Sequence, residues 1–134
     1  MEIQTDNFVP PVCTFKHSVL VIDDSLDSLY LGRYVLEEHG FEVFTASTTD
    51  EAFRILKEIG EPNLVLLDLH LPEMSGITFL EMLDEQRPKF LSNVPVVFYS
   101  AVDKVPMSKA AGFIRKAGDT NQFLKQVHGF IRPH

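Results

Sequence analysis

The sequence predicts an α/β domain in which a parallel β-sheet carries helices on both faces. Short apolar runs alternate with longer stretches of helical periodicity from residue 18 to residue 131. Runs that are apolar throughout and rich in β-branched residues are typical of strands buried on both faces, and their alternation with helices favours a parallel sheet. With 134 residues, of which 45% are hydrophobic, the chain has the length of one domain and enough apolar side chains for one core.

Five strands and four helices make up this prediction. The strands span residues 18–22, 41–46, 64–67, 94–99 and 112–115, and two helices span residues 26–38 and 77–86. Gly40 is placed to end the first helix. Thr48 and Glu51 form a capping box that opens another helix, and Asp119 caps the last one. The apolar residues that these two capped helices are predicted to bury are Ala52, Phe53, Leu56, Ile59, Phe123, Leu124, Val127, Phe130 and Ile131.

The segment between the last two strands leaves little room for a helix, since an average helix has about 11 residues. Residues 102–111 also contain Pro106, and proline is tolerated at the first position of a helix but not in its middle. We therefore expect at most one turn near Pro106, in a largely irregular segment that is the most mobile part of its sheet edge. The predicted fold class is a flavodoxin-like, doubly wound, five-stranded parallel sheet whose fourth helix is shortened or missing.

Composition argues against several classes of function. The net charge of −7 argues against nucleic-acid binding, which normally needs a basic face. Cys13 is the single cysteine, which excludes an internal disulfide and a cysteine-rich metal site, and we expect it to be inert. Residues 1–7 lack the pattern of a secretory signal, and no apolar run approaches the roughly 18 residues of a membrane helix. We expect a cytoplasmic protein without membrane contact, made of a tail over residues 1–16 and one domain over residues 17–134.

Polar side chains follow four of the predicted strands. Asp23 and Asp24 follow the first strand, Asp68 the third, Ser100 the fourth and Lys116 the fifth. Because the carboxyl ends of parallel strands form one edge, where ligands bind, we expect these side chains to share one crevice. Three neighbouring carboxylates repel one another unless a cation compensates their charge. Mg²⁺ fits best, since it prefers oxygen ligands and keeps waters that phosphate oxygens can replace.

This set of side chains is suited to phosphoryl transfer onto an aspartate. Each of them alone has a plainer explanation, because an aspartate after a strand is commonly a turn residue or helix cap, and a lysine is commonly a surface charge. Their coincidence at the same end of successive strands favours a functional site. An Asp carboxylate can attack a phosphoryl donor to form an aspartyl phosphate, while Mg²⁺, a lysine and a hydroxyl bind the transferred oxygens.

The segments around the aspartates resemble those of the response-regulator receiver family. Val-Leu-Val-Ile-Asp23-Asp24-Ser is similar to the opening strand and acidic pair of that family. Leu-Val-Leu-Leu-Asp68-Leu-His-Leu-Pro72, followed by Gly76, is similar to its phosphoacceptor segment. The resemblance implies that Asp68 accepts a phosphoryl group.

The resemblance continues into the second half of the chain. Ser100-Ala101 is similar to the Ser/Thr-Ala pair of the family, and Phe113-Ile-Arg-Lys116 to its aromatic-x-x-Lys ending. It covers roughly residues 17–131 and implies the strand order 2-1-3-4-5. It also implies that Ser100 and Lys116 bind phosphoryl oxygens and that Phe113 is an aromatic whose rotamer follows Ser100.

The implied metal ligands for Mg²⁺ are the carboxylates of Asp23, Asp24 and Asp68 and the backbone carbonyl of His70. The implied partners are a sensor histidine kinase or histidine phosphotransfer protein as donor and a downstream protein target, without nucleic acid or membrane. Such a switch does chemistry on itself, and we therefore do not expect an enzyme with turnover. Whether the chain is a stand-alone regulator or a fragment stays open.

Two features depart from the family. Ser100 and Lys116 are 16 positions apart, several fewer than is usual, so the output face made by the fourth helix and its neighbours must differ. Ala117 follows Lys116 where the family usually has a proline with a cis bond. A cis bond before alanine costs about 2.5–4 kcal/mol, so this turn is expected to be trans with Gly118 absorbing the reversal, or cis under strain.

Two other functions compete with this one. A non-phosphorylated docking or dimerisation module would keep the fold alone, but the presence of all five polar residues counts against it. A phosphohydrolase or phosphotransferase that uses an aspartyl phosphate would in one class need a carboxylate two residues after Asp68, and His70 stands there. A role of His70 as a phosphohistidine or as a side-chain metal ligand is not favoured, because it has no partner histidine at helical spacing. We expect its side chain only to border the site and to affect the access of water to the phosphate.

Overall fold

The protein forms one five-stranded, fully parallel sheet with the order β2-β1-β3-β4-β5. The computed structural model describes residues 16–102, 104–106, 108–116 and 119–131. The strands are β1 (Ser18–Ile22), β2 (Glu42–Ala46), β3 (Leu64–Leu67), β4 (Val96–Ser100) and β5 (Gly112–Arg115). The predicted fold class and strand order are thereby confirmed, with helices on both faces of the sheet.

Five helices surround the sheet in the described part of the chain. They are α1 (Leu26–Glu38), α2 (Thr49–Ile59), α3 (Gly76–Gln86), α4 (Phe90–Asn93) and α5 (Thr120–Phe130). The predicted caps are confirmed, because Thr48 Oγ1 accepts from the N–H of Glu51 at 3.1 Å and Asp119 Oδ1 accepts from that of Gln122 at 2.7 Å. Gly40, with φ of +90°, donates its N–H to the Glu37 carbonyl and ends α1 as predicted.

The alternation of side chains along the strands divides the apolar residues into two cores. Leu20 and Ile22 of β1 face the core that α2, α3 and α4 cover, whereas Val19 and Val21 face the core that α1 and α5 cover. Both faces of the central strands are therefore buried, which explains why their sequences are apolar throughout. Among the residues predicted to be buried, Phe53, Ile59, Phe130 and Ile131 are half-buried.

The helix α4 was not predicted, and the predicted start of β4 is too early. The four-residue helix α4 begins at Phe90, after Lys89 as an N-cap residue that provides no side-chain hydrogen bond, and ends where Val94 donates its N–H to the Phe90 carbonyl at 2.8 Å. Val94 therefore belongs to the end of α4, and the prediction that β4 begins at residue 94 is wrong. The carbonyl of Pro95 already accepts from Val65, so the sheet ladder begins directly after this turn.

The connection from β4 to β5 contains no helix among its described residues, which confirms a shortened or missing fourth helix in that part of the segment. At 11 residues, 101–111, it is at the lower limit for joining parallel strands. Val102, Val105 and Ala110 pack against the core on the α3 side. Lys109 donates a hydrogen bond to Asp84 of α3, so the segment is tied to the protein at its exposed side as well.

Some expectations fall outside the described residues. Residues 1–15 of the predicted tail over residues 1–16, with Cys13, are among them, and so is the turn at Ala117 and Gly118. Within the part of the chain that the structure describes, no helix is long and apolar enough to cross a membrane.

Candidate functional site

The site lies where β1 and β3 run side by side, with their following connections on opposite faces of the sheet. Ile22 is the register partner of Leu67, so Asp23 and Asp68 each stand one residue beyond a paired strand end. The Asp68 N–H donates to the Ile22 carbonyl at 2.9 Å, which fixes the two segments together. A reversal of strand order of this kind opens a crevice at the carboxyl edge of a sheet.

Three carboxylates meet in this crevice. One oxygen each from Asp23, Asp24 and Asp68 lies within 4.8 Å of the others. Asp23 is 1% exposed and Asp68 is 9% exposed, while Asp24 faces solvent. A cluster of hard oxygen donors with one open side suits Mg²⁺, which commonly keeps several waters. The residues present therefore fit this ion.

Lys116 supplies the positive charge next to these carboxylates. Its ammonium group is paired with Asp23 Oδ2, lies 3.9 Å from Asp68 Oδ2 and donates to Ser28 Oγ at 3.4 Å. The Lys116 N–H donates to the Ser100 carbonyl at 2.9 Å, which anchors the start of this side chain at the end of β4. The lysine predicted from the sequence thus lies within reach of the predicted phosphoacceptor.

Two groups of influences act on the pKa of the Asp68 carboxyl in opposite directions. Burial is the largest influence and raises the pKa of the Asp68 carboxyl, and the Asp23 carboxylate raises it further, while Lys116 and the N–H of His70 lower it. The balance raises the pKa above its ordinary value. A cation held by the three carboxylates would lower the pKa of Asp68, because it favours the charged form of the carboxyl.

Ser100 ends β4 with its side chain in the interior. It is 3% exposed, and among the described residues its hydroxyl has no hydrogen-bond partner. A buried hydroxyl without a partner is costly, so such a group is rare unless a ligand or water completes it. Binding of a phosphoryl oxygen by the Ser100 hydroxyl stays a prediction.

Gly76 shows why the segment after Asp68 needs a glycine at that distance. A β-carbon built on Gly76 would lie 2.5 Å from the Asp68 carbonyl oxygen and 2.9 Å from the Phe98 ring. The Gly76 N–H also donates to the Leu69 carbonyl at 2.6 Å. The first turn of α3 therefore packs closely against the backbone of Asp68 and Leu69, which only glycine permits.

The structure also locates the two remaining residues of the prediction. The His70 side chain is exposed. The backbone N–H of His70 donates to Asp68 Oδ1 at 3.4 Å, while the role of the His70 backbone carbonyl as a metal ligand stays a prediction. Phe113 is half-buried and lines a cavity of about 260 Å³ together with Phe98, Val105 and Pro106. Its role as a switch stays a prediction.

Sequence reasoning missed two residues of the site. Ser28 lies in the first turn of α1, and Tyr99 lies beside Lys116, whose Nζ is over the tyrosine ring at 5.4 Å from its centroid. One sequence signal bears on Tyr99. Side chains alternate along a strand, so Tyr99 lies on the face of β4 opposite to that of Phe98. Burial, followed in size by the Asp23 carboxylate, raises the pKa of Tyr99, so its ring stays neutral.

Comparison with known proteins defines the class of this protein. The family model of the response regulator receiver domain matches residues 19–128. The chain therefore belongs to the response regulator receiver family of two-component systems, whose members are signalling switches rather than classical enzymes. Receiver domains typically bind Mg²⁺ at an acidic pocket, and the carboxylate cluster described above fits that property.

Several curated relatives are longer than this chain. The transcriptional regulatory protein KdpE of Mycobacterium tuberculosis is 36% identical over 120 residues, which cover 85% of this chain and 50% of KdpE. The alkaline phosphatase synthesis transcriptional regulatory protein PhoP of Bacillus subtilis is 35% identical over 86 residues, which cover 64% of this chain and 34% of PhoP. The matches thus span about a third to a half of these relatives. The polar-differentiation response regulator DivK of Brucella ovis is 23% identical over 120 residues, which cover 85% of this chain and 95% of DivK.

Solved structures share the fold at lower sequence identity. The chemotaxis protein CheY4 of Vibrio cholerae matches with a TM-score of 0.77 and 22% identity, over 87% of this chain and 100% of CheY4. The response regulator TrrA of Thermotoga maritima, solved in complex with Mg²⁺-BeF, matches with a TM-score of 0.74 and 22% identity, over 87% and 100% of the two chains.

Proposed function

We propose that this chain is a phosphorylation-controlled switch in which Asp68 accepts a phosphoryl group from a phosphohistidine. The donor is a sensor histidine kinase or a histidine phosphotransfer protein. The observation that carries the proposal is the position of Asp68, in a crevice with two further carboxylates and with Lys116 Nζ at 3.9 Å from Asp68 Oδ2. This is the set of charges that attack on a phosphoryl group requires.

In the proposed reaction, an oxygen of Asp68 attacks the phosphorus atom. A P–O bond forms as the P–N bond to the donor imidazole breaks, and the imidazole leaves as the neutral ring after it takes up a proton. The residues that would hold Mg²⁺ are Asp23, Asp24 and Asp68 with the carbonyl of His70, and the ion would offset the negative charge that collects on the phosphoryl oxygens. Lys116 and the Ser100 hydroxyl bind two of these oxygens.

We place the docking site of the donor on the exposed face of α1. Four large apolar side chains point into solvent there: Leu26 at 71%, Tyr30 at 75%, Leu31 at 62% and Tyr34 at 56% exposed. This patch begins three residues after Asp23, so a protein that covers it also reaches the crevice. Tyrosine and leucine at such density on a helix are typical of a surface that another protein buries.

The switch acts through contacts with a downstream protein target. Ser100 lies directly before the segment 101–111, so movement of its hydroxyl onto a phosphoryl oxygen would pull on this segment first. We propose that phosphorylation orders or repositions the segment and that the target binds it together with Phe113 and α5. Hydrolysis of the aspartyl phosphate would reset the switch without a second enzyme. We propose a cytoplasmic location, where donors phosphorylated from ATP are available.

The test is incorporation of phosphate from acetyl phosphate or a histidine kinase in the presence of Mg²⁺. We expect one acid-stable, base-labile phosphoryl group per chain in the wild type and none in Asp68→Asn or after chelation of Mg²⁺. A circular dichroism spectrum that matches the wild type would show that the variant is folded. Full labelling of folded Asp68→Asn would rule out the assignment, and absence of labelling and of beryllofluoride binding in the wild type would favour a docking module.

A further inference from the structure

We propose that Tyr99 is a positioning residue that holds the Lys116 ammonium group in the crevice through the face of its ring. The consequence for catalysis rests on the proposed function, because it concerns phosphoryl transfer to Asp68. The contact itself does not depend on that function. It is carried by the geometry of β4, β5 and α5.

The strands bring the two residues together. Tyr99 is the register partner of Ile114, and Ser100 is that of Arg115, so Lys116 follows the last paired position of β5. Side chains two positions apart on a strand share a face, which puts Lys116 on the side of Ile114 and Tyr99. The Lys116 Nζ lies over the Tyr99 ring, 5.4 Å from its centroid, within the range of a cation–π contact.

The Tyr99 ring is itself supported by a residue of α5. Tyr99 packs on Phe123 of α5 with a centroid distance of 5.2 Å and an interplanar angle of 36°. Phe123 is 9% exposed and belongs to the core shared by α1 and α5. The position of the Tyr99 ring is therefore fixed by the core, and the ring is a rigid support for a flexible side chain.

A neutral ring is suited to this task. Lys116 is paired with Asp23 and lies 3.9 Å from Asp68, so it must bind an oxygen of a group on Asp68 without leaving the crevice. A second carboxylate on its other side would compete with a phosphoryl oxygen for its N–H groups. The face of an aromatic ring attracts the ammonium charge but accepts no strong hydrogen bond, so the donors stay available.

This chain has a specific need for such a support. Ala117 follows Lys116 in the sequence, so the lysine is not followed by a ring that fixes the backbone. The Lys116 N–H bond to Ser100 anchors only its own backbone, and four rotatable bonds separate that anchor from the ammonium group. The Tyr99 ring restricts the far end of the side chain.

The experiment compares Tyr99→Leu with Tyr99→Phe in the full chain. The first change removes the ring, whereas the second keeps the ring and removes only the hydroxyl. Nuclear magnetic resonance reports the contact directly, because the ε-methylene protons of Lys116 shift upfield above an aromatic face. We expect this shift in the wild type and in Tyr99→Phe and its loss in Tyr99→Leu, with Lys116→Met used to assign the signal.

The functional readout is the concentration of beryllofluoride or acetyl phosphate that gives half-maximal modification. We expect it to rise about 3-fold to 30-fold in Tyr99→Leu, the range that corresponds to loss of a cation–π contact, and to return close to the wild-type value in Tyr99→Phe. Val97→Ala is the matched control, since Val97 is fully buried on the same face of β4 and the change weakens packing away from Lys116. An unchanged methylene shift or an unchanged half-maximal concentration in Tyr99→Leu would overturn the proposal, as would an equal loss in Val97→Ala. If the wild type is not modified at all, the proposed function fails, while the methylene shift still decides the contact.

Discussion

The ammonium group of Lys116 lies closer to the Asp23 carboxylate than to that of Asp68, the proposed phosphoacceptor. It contacts Asp23 Oδ2 directly, whereas Asp68 Oδ2 lies 3.9 Å away. Asp23 also accepts a hydrogen bond from the N–H of Ser25 at 3.0 Å, next to the start of α1. The buried carboxylate of Asp23 therefore joins β1, α1 and the end of β5, in addition to its proposed part in binding Mg²⁺.

This relationship predicts that the two acidic neighbours differ in their effect on stability. Asp23→Ala leaves the Lys116 charge and the Ser25 N–H without their partner, and we expect a loss of about 1–3 kcal/mol in the free energy of unfolding without metal. Asp24 is exposed, and Asp24→Ala is expected to be neutral within about 0.5 kcal/mol, or slightly stabilising because it relieves repulsion. Urea unfolding in the presence of a chelator measures both. Equal stabilities would contradict the structural role of Asp23.

The variants Asp23→Ala and Asp24→Ala are both expected to bind Mg²⁺ more weakly and to be phosphorylated more slowly. Each change removes one of the three carboxylates whose oxygens cluster within 4.8 Å. Magnesium titration followed by one-dimensional nuclear magnetic resonance gives the affinity, and labelling from acetyl phosphate gives the rate. Unchanged magnesium affinity in both variants would remove the basis for this metal site.

The raised pKa of Asp68 predicts that the ionised carboxylate lowers the free energy of unfolding, by an amount that depends on pH. Below the ordinary pKa of 3.8 the carboxyl is protonated in both the folded and the unfolded chain, and it does not lower the free energy of unfolding. As the pH rises through that value and then through the raised pKa of the folded state, the carboxyl loses its proton and the folded protein loses stability. In metal-free buffer, Asp68→Asn should therefore gain stability relative to the wild type as the pH rises. Urea unfolding across this pH window tests the sign, and a difference that is constant with pH would refute it.

Gly76 and Gly32 make a matched pair for testing the close packing of α3 against the backbone of Asp68. Gly76→Ala places a methyl group 2.5 Å from the Asp68 carbonyl oxygen, and we expect destabilisation of about 1–3 kcal/mol and slower phosphorylation as the segment shifts. Gly32 lies within α1 with no atom within 4 Å of its added β-carbon, so Gly32→Ala should stabilise by about 0.5–1 kcal/mol through helix propensity. Changes of the same sign in both variants would show that close approach is not the reason for Gly76.

Most element bounds could be predicted from the sequence because they depend on local signals, whereas the strand order was implied by the resemblance to the receiver family. The apolar runs, the caps at Thr48 and Asp119 and the reversal at Gly40 each mark an element by themselves. By contrast, α4 has four residues and no side-chain cap, so no local pattern distinguishes it from a turn. Its position is set by the burial of Phe90, which is 1% exposed and depends on the neighbouring helices.

The candidate site shows a similar division. The positions of Asp23, Asp68, Ser100 and Lys116 at the sheet edge could be predicted, because strand ends gather there whatever the side chains do. The choice of Lys116 between two carboxylates could not be predicted, because it depends on how the side chain crosses from β5 to β1. The contact with Tyr99 was missed for the same reason.

The segment 101–111 is predicted to respond to phosphorylation. We expect the amide hydrogens of its described residues to exchange rapidly without beryllofluoride and more slowly with it, and Lys109→Ala to speed exchange in the free protein by removing the contact with Asp84. Hydrogen exchange followed by mass spectrometry measures both effects, with α2 as an internal reference. Strong protection in the free protein, or exchange that beryllofluoride leaves unchanged, would show that this segment is not the part that switches.

The exposed face of α1 is predicted to affect transfer from a protein donor but not from a small one. Tyr30→Ala should slow transfer from a histidine kinase about 5-fold or more, as the loss of an interface anchor does, and leave labelling by acetyl phosphate unchanged. Lys57→Ala, on the exposed side of α2, is the control and should change neither rate. Equal kinase rates in the wild type and Tyr30→Ala would place the donor elsewhere on the surface.

The short connection between β4 and β5 also bears on the order in which the protein folds. In an unfolded chain, the entropy lost on bringing two strands together grows with the number of residues between them, and the 11-residue connection costs about 0.8 kcal/mol less to close than the 28-residue connection between β3 and β4. The β4–β5 pair is thus the least demanding long-range contact of the sheet. Mutations at the Tyr99–Ile114 pair should accordingly slow folding more than mutations at the β3–β4 pair, so the strands that carry Ser100 and Lys116 would assemble before the aspartates are brought to their side.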